Sequence, residues 1–347
     1  MNFDLNDDQR EIKNTARDLL SRRSSFEEVR RVGEGGAYDD SLWNELTELG
    51  WTGIGIDEES GGVGFGVIEL ALLAEELGYA VTPSRFLANA MAGLVISSAG
   101  SDEQKGKWLG GIASGEAPAT LAFARDGVAE LVPDAEGSAV IVLVDGDRAT
   151  VHDSADVSVE KIETIDPTRT YFRVTANGGG EPLEGNVEGG VDRAEVILSA
   201  ELTGIAQRAL DMTVEYVKQR KQFGQPVAVF QAVSHGCAEM FLETESARSA
   251  TYGAATVADS DPEQLPFSAS IAKAVAGEAG PRVTRKAIQL HGGIGFTWEA
   301  DVHWLFKRAH LDAAQLGRTH EHRARIARIA AGLDQPKAGA KPVGATA

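Results

Sequence analysis

The chain has 347 residues, and 52 acidic against 33 basic side chains leave a formal net charge of −19. That length allows two or three domains and a sizeable core, and 43% hydrophobic with 24% charged residues is an ordinary globular mix. So acidic a chain excludes a general nucleic-acid or anionic-membrane binder, which needs a basic face, but not a small anion held by a local cluster of Arg and Lys. The single cysteine, Cys237, excludes an intrachain disulfide framework and a zinc ribbon. Residues 1–8 are acidic and lack the apolar core of a signal peptide. The most apolar stretch, Phe86 to Ala99, is too short to span a bilayer and carries Asn89. A cytoplasmic protein with no membrane partner is the expectation.

In chain order, Ile12, Ala16, Leu19 and Leu20 recur at helical spacing from Asn6 to Arg23, behind an Asn/Asp cap. Asp40 can cap a second helix carrying Leu42, Trp43, Leu46 and Leu49, stopped by Gly50. The glycine-rich loop 59–66 leads into an apolar helix from Val67 to Tyr79, and a short helix spans Asp102 to Leu109. Near residue 117 the texture changes. Ala139 to Val144 reads as a buried strand, and Asp145-Gly146 as a hairpin turn. The β-pattern continues through Val151, Val157, Val159, Ile162 and residues 171–174 to about 190. Four long helical segments follow, at about 193–219, 228–258, 266–290 and 299–333, with Pro281 expected to kink the third. The domains are therefore read as 1–116 helical, 117–190 a small β domain and 191–333 a helical bundle. A tail, 334–347, of small residues, Pro and Lys is expected to be disordered. The class is α+β, mostly α.

Three segments carry chemistry. Lys218-Gln219-Arg220-Lys221-Gln222-Phe223-Gly224 puts three cations at a helix C-terminus. This suits the helix dipole of a solvated end, and equally an anion site in which Arg220 forks onto a phosphate and Phe223 anchors the turn. Gln289-Leu290-His291-Gly292-Gly293-Ile294-Gly295-Phe296 ends a helix in glycines. Such glycines make an ordinary C-cap or admit a ligand close to the backbone, but they form no Rossmann fingerprint, because no strand precedes them. Gln231 lies near the start of the next helix. No nucleophile elbow, Walker loop or metal-spaced His/Cys/Asp set is present, so the chemistry must come from a bound cofactor and no metal is expected.

Taken together and in this order, the chain resembles the acyl-CoA dehydrogenase family. The matching pieces are Glu48-Leu49-Gly50-Trp51, Glu59-Ser60-Gly61-Gly62-Val63-Gly64, Ala74-Glu75-Glu76-Leu77-Gly78, Arg220-x-x-Phe223-Gly224 with Gln231, and Gln289-x-x-Gly292-Gly293-x-Gly295-Phe296. The resemblance implies an N-terminal helical domain, a middle β domain and a C-terminal four-helix bundle. It implies an FAD enzyme that desaturates an acyl-CoA between its α and β carbons. A glutamate removes the α proton, and an electron-transfer flavoprotein is the expected acceptor. It places Arg220, Phe223 and Gln231 on the FAD, with Gln289, Gly292 and Gly293 lining it from a neighbouring subunit's side.

Two departures accompany the matches. An ungapped count from Gly292-Gly293 brings the family's Glu-Gly-Thr base segment onto Leu316-Gly317-Arg318, and leucine abstracts no proton. A minority branch carries its base on the helix before the arginine motif, where the count lands on Ala194. Adjacent Glu195 is then a candidate base, although one residue turns a helix by about 100°. Glu201 is a further acid on that helix, without motif support. The middle domain also lacks the family's usual flavin-ring segments, having Thr120 to Gly127 and then a short acidic β region. The expectation is a subunit without its own base. It resembles the short chains of heteromeric actinobacterial sterol side-chain dehydrogenases, and would complete the FAD site of a homologous partner, α2β2. The alternatives are a self-sufficient dehydrogenase using Glu195 and a helical scaffold.

Overall fold

A computed structural model of the chain describes residues 5–333, and the tail read at 334–347 lies outside them. Helix α1 (Asp7–Arg23) opens on a reciprocal cap: Asn6 Oδ1 accepts from the Gln9 N–H at 2.8 Å, and Gln9 Oε1 from the Asn6 N–H at 3.0 Å. Helix α2 (Phe26–Gly33) is an addition to the sequence reading. It has only eight residues, and its buried Val29 and Val32 hold it in place by tertiary packing rather than propensity. Helices α3 (Asp40–Glu48), α4 (Val67–Tyr79), α5 (Phe86–Ala99) and α6 (Asp102–Ala113) complete the N-terminal helical domain. Asn89, the polar residue inside apolar α5, is fully buried. Its Oδ1 accepts from the Ala119 N–H at 2.9 Å and its Nδ2 donates to the Ile112 carbonyl at 3.3 Å, which ties α5 to α6 and to the first strand.

The middle of the chain forms strands β1 (Ala119–Arg125), β2 (Val128–Pro133), β3 (Val140–Asp145), β4 (Arg148–Asp153), β5 (Val157–Ile162), β6 (Tyr171–Ala176) and β7 (Glu181–Leu183). They make one seven-stranded sheet in the order β5-β6-β2-β1-β3-β4-β7, with β1 and β3 parallel and the other pairs antiparallel. Side chains alternate across it. Val140, Val142 and Val144 join the core shared with the N-terminal helices, while Ile141 and Leu143 pack with Phe172 and Val174 on the other face. Burial on both faces is why β3 reads as an unbroken apolar run.

Helices α7 (Val187–Gln219), α8 (Gln231–Ser260), α9 (Leu265–His291), α10 (Val302–Ala314) and α11 (Thr319–Ala330) build the C-terminal bundle. Helix α7 starts before the expected residue 193, because Asn186 caps it, accepting from the Gly189 N–H at 2.9 Å. Gly190 serves packing: a Cβ there would lie 2.7 Å from Val95 Cα. Helix α9 continues through Pro281 without a break. The last expected segment, 299–333, is two helices, because Leu316 at φ 51° and Gly317 at φ 86° reverse the chain between them. A β-branch-free leucine gives no turn signal, which is why the split is not readable from composition.

The β5–β6 loop enters the bundle through a buried ionic network. Arg169 Nη2 donates to Glu201 Oε1 at 2.6 Å and Arg308 Nη1 to the same oxygen at 3.1 Å. Arg308 also holds Asp166 and Thr168, and Arg169 Nη1 reaches Asp312 at 3.3 Å. All five charged groups are at most 5% exposed. Arg169 Nε and Asp312 Oδ2 have no hydrogen-bond partner among the described residues, and the remaining contacts fasten sheet to bundle.

Candidate functional site

The sequence motifs gather at one end of the bundle. Helix α7 ends at Gln219, and the Arg220 N–H donates to the Tyr216 carbonyl at 2.8 Å. A minimal hairpin then pairs Lys221-Gln222 with Gln225-Pro226, and its tip is Phe223 at φ 54° and Gly224 at φ 79°. The Val227 N–H returns to the Arg220 carbonyl at 2.8 Å, fixing where Arg220 leaves the helix. Phe223 is 91% exposed, and its ring stands nearly perpendicular to that of Phe230 at 6.0 Å between centroids. Gln231 opens α8 and is exposed.

At the same end, α9 stops at His291, and Gly292 takes φ 67°. Tyr216, one turn before Arg220, stacks on His291, the residue before Gly292, at 4.5 Å and 17°. That contact brings the arginine hairpin and the glycine turn together although they are far apart in sequence. A Cβ added at Gly224, Gly292 or Gly293 would meet nothing within 4 Å, so backbone there is open to approach. Lys218, Arg220 and Lys221 have no carboxylate partner among the described residues, in a chain with a large excess of acids. Gln289 is exposed one turn before the glycines and faces a groove between α8 and α9.

Leu316, Glu195 and Glu201 lie elsewhere, in the buried interior. Leu316 is 8% exposed, and its carbonyl accepts from His322 Nε2 at 2.8 Å. Lys273 Nζ donates to the carbonyls of Gly317 at 3.0 Å and Ala313 at 3.3 Å, so the α10–α11 turn is held from two sides. Glu195 Oε2 lies 3.8 Å from His322 Nδ1 and 3.6 Å from Arg325 Nη1. It is thus one imidazole ring away from the Leu316 carbonyl. Burial, and then the charge of Asp192, push the Glu195 carboxyl well above its ordinary range, against the pull of Arg325 and Lys273. That disfavours the ionised form a general base needs. Burial pushes Lys273 from its usual 10.5 down to about 8, and lowers His322, which favours the neutral ring. Glu201 behaves in the opposite way to Glu195. Burial raises it, but Arg169 and Arg308 outweigh burial and hold it below the ordinary value. It is an anchored counter-ion.

Sequence reasoning missed the His322 bridge between Glu195 and Leu316, because both links are tertiary and neither has a local pattern. The Tyr216–His291 stack is invisible for the same reason. Phe296 (78% exposed) ends the glycine motif read from the sequence, and Trp298 (69%), not singled out there, follows it at an apolar i, i+2 spacing. Among the described residues no cluster of His, Cys, Asp and Glu could hold a metal ion, and no helix is long and apolar enough to cross a membrane.

An α-helical domain, a central sheet and a helical bundle with this pair of motifs at its end define a family by sequence as well as shape. The acyl-CoA dehydrogenase N-terminal domain matches residues 6–116, and the acyl-CoA dehydrogenase C-terminal domain matches residues 189–331. The chain is 34% identical over 324 residues to the acyl-CoA dehydrogenase IpdE2 of Mycolicibacterium smegmatis, covering 93% of this chain and 98% of that protein. It is 34% identical over 280 residues to the acyl-CoA dehydrogenase FadE34 of Mycobacterium tuberculosis, covering 76% of this chain and 38% of that one. Among solved structures it is similar to a variant of the Tcur3481–Tcur3483 steroid ACAD, with TM-score 0.86, 26% identity and coverage of 94% and 98%. The ChsE4–ChsE5 complex from Mycobacterium tuberculosis shares its fold at TM-score 0.87, with 22% identity and coverage of 95% and 99%. The chain belongs to the acyl-CoA dehydrogenase family. The family consists of FAD-dependent oxidoreductases acting on the CH–CH bond of acyl-CoA thioesters, and this chain is one of them.

Proposed function

We propose that this chain is the subunit of a hetero-oligomeric α2β2 acyl-CoA dehydrogenase that lacks its own base and completes the FAD site of a homologous partner. The observation that carries this reading is the split described above. Leucine stands, buried, at the counted base position, while Arg220 and its two lysine neighbours are exposed with no carboxylate partner among the described residues, beside the open glycine turn. The substrate class is a CoA thioester with a steroid side chain, a reading supported by the steroid ACAD among the similar structures. A cytoplasmic location and an electron-transfer flavoprotein as acceptor belong to the same proposal, as do the domain limits 1–116, 117–190 and 191–333.

The residues present fit a flavin dinucleotide. Arg220 supplies a planar two-pronged donor for the diphosphate, stronger than a neutral hydrogen bond because both partners are charged. Lys218 and Lys221 add positive potential at short range. Phe223, held out of the core at positive φ, offers an apolar face, and Gln231 and Gln289 offer amides. Gly292 and Gly293 let a ligand reach the main chain where any side chain would intervene. Bound FAD supplies the hydride acceptor for α,β-desaturation. This chain's own residues bind and orient; the proton at the α carbon is left to a glutamate of the partner.

One observation favours the self-sufficient alternative: Glu195 lies next to the Leu316 turn across His322. The deciding experiment is visible flavin absorbance and subunit stoichiometry, on the chain alone and co-expressed with a homologous dehydrogenase subunit. A colourless chain that becomes a yellow complex with about half an FAD per chain is the expected result. A yellow homo-oligomer with about one FAD per chain overturns the proposal. Glu195→Gln would then be the next variant, and abolished dehydrogenation with flavin retained would make Glu195 the base.

A further inference from the structure

A cavity of about 110 Å³ lies on the seam between the N-terminal helices and the bundle, where the turn from α1 into α2 and the C-terminal end of α4 meet α7. At about 30 Å³ per water, it has room for an ion of a few heavy atoms and none for a nucleotide. Two guanidiniums line it, and they are differently employed. Arg17 holds Glu76 with both Nε and Nη2, the latter at 3.0 Å, and Lys13 stands 3.7 Å from the same carboxylate, so the charge of Glu76 is already neutralised. Arg208 of α7 has no carboxylate partner among the described residues. It lies 5.0 Å and 5.2 Å from the ring centroids of Tyr79 and Phe26, and donates to Tyr79 Oη at 3.3 Å. Contact with ring faces leaves most of its N–H fork unspent.

Two further donors meet there. Ser24 is 6% exposed and lines the cavity, and its Oγ has no hydrogen-bond partner among the described residues, an uncommon state for a buried hydroxyl. Beside it α2 begins. Ser25 Oγ accepts from the Glu28 N–H at 3.4 Å, and the N–H groups of Phe26 and Glu27 have no intrahelical acceptor. An orphaned hydroxyl, a guanidinium without a carboxylate and a helix N-terminus thus share one small space, and all three donate to an anion. The charge count selects the anion. Arg17 and Arg208 against Glu76 leave the lining at +1. Asp211 is outside the lining and accepts from Tyr79 Oη at 3.0 Å and Gln207 Nε2 at 2.8 Å. The rest of the wall is apolar, with Leu20, Ala80 and the rings of Phe26 and Tyr79. One negative charge with a short hydrocarbon tail matches such a site better than a doubly charged phosphate does. We propose that this cavity binds a small monocarboxylate, its oxygens shared among the Arg208 fork, Ser24 Oγ and the start of α2, and its tail against Leu20 and Phe26. Arg208 stands twelve residues before Arg220, about 18 Å along α7, so the site is separate from the arginine hairpin and independent of the FAD reading. A ligand held by α1, α2 and α7 at once binds only the folded chain and raises its unfolding midpoint.

The purified protein, in the assembly in which it is isolated, is titrated with acetate, propionate and butyrate by thermal unfolding and calorimetry at fixed ionic strength. Chloride and inorganic phosphate are the comparison anions. The carboxylates should raise the midpoint saturably, and chloride should not. Ser24→Ala removes a hydroxyl that holds nothing, so the unliganded midpoint should stay where it is while the dissociation constant for butyrate rises severalfold. Arg208→Ala should raise that constant about tenfold or more, as loss of a charge-assisted hydrogen bond does, and Arg208→Lys should retain part of the affinity. Arg208→Ala also loses packing on Tyr79, so the readout is the ligand-dependent increment and not the midpoint itself. Increments no larger than that of chloride, or increments that survive both Arg208→Ala and Ser24→Ala, overturn the proposal. A larger saturable effect of phosphate, lost in the same variants, overturns the monocarboxylate assignment.

Discussion

The two arginine-rich regions of this molecule use the same side chain in opposite ways. At the sheet–bundle junction Arg169 and Arg308 are buried and surrounded by Asp166, Glu201 and Asp312. At the far end of the bundle Arg220 is exposed and has no carboxylate partner among the described residues. The first arrangement spends its charge inside the fold, so what remains is rigidity. The second leaves charge and hydrogen-bond donors unspent, so what remains is capacity for an outside anion. A guanidinium's partner list, more than its sequence context, tells structure from recognition.

The sharpest way to break the comparison is inside. Arg308→Ala leaves Asp166 and Glu201 short of a counter-charge in a buried site, which should cost about 3–5 kcal/mol and be read as a lower urea midpoint or loss of soluble protein. Next is Lys273, fully buried and facing Glu195 from α7, Asp312 from α10 and Glu321 and His322 from α11. Its folded pKa of about 8 is below the unfolded 10.5, so between those values the unfolded chain binds more protons and stability rises with pH. Relative to Lys273→Met, the wild type should gain up to about 3 kcal/mol from pH 8 to 10.5 and nothing below pH 8, measured by urea unfolding at both ends. If the two proteins show parallel profiles, Lys273 is not buried as described.

On the exposed side the order of effects inverts. Arg220→Ala should leave the unfolding midpoint within about 0.5 kcal/mol of wild type, as exposed substitutions do, yet weaken FAD by about 1.5–3 kcal/mol. Phe223→Ala is the mildest case. It removes a ring already in water, so stability should not change, and a severalfold weaker flavin affinity is the whole expected effect. Destabilisation by either variant would mean that this hairpin also belongs to the structural half of the molecule.

What could be read from sequence follows the same divide. The layout of helices, sheet and helices was legible because each element carries its own period, and β3 and α4 are examples. The arginine hairpin and the glycine turn were legible because Arg220-x-x-Phe223-Gly224 and Gln289-x-x-Gly292-Gly293 match the motifs of the family in order, whereas each alone reads equally as a solvated helix end. Element limits were less so. Asn186 caps α7 early and Gly190 packs against α5, and Leu316 broke the last helix at a residue type that seldom adopts positive φ. The neighbourhood of Glu195 was not legible at all. Its distance from Leu316 depends on His322, which stands on α11 with three helices between it and α7 in the chain, and only packing sets it.

The unpartnered cations have a kinetic consequence. They attract an anionic nucleotide only within a Debye length, about 8 Å at physiological salt, whereas the molecule as a whole, at −19, repels it from further away. Capture and retention should therefore respond to ionic strength with opposite signs. Added salt lets a nucleotide arrive sooner by lowering the long-range barrier and leave sooner by loosening the grip, so an affinity that hardly moves with salt can conceal exchange that quickens markedly.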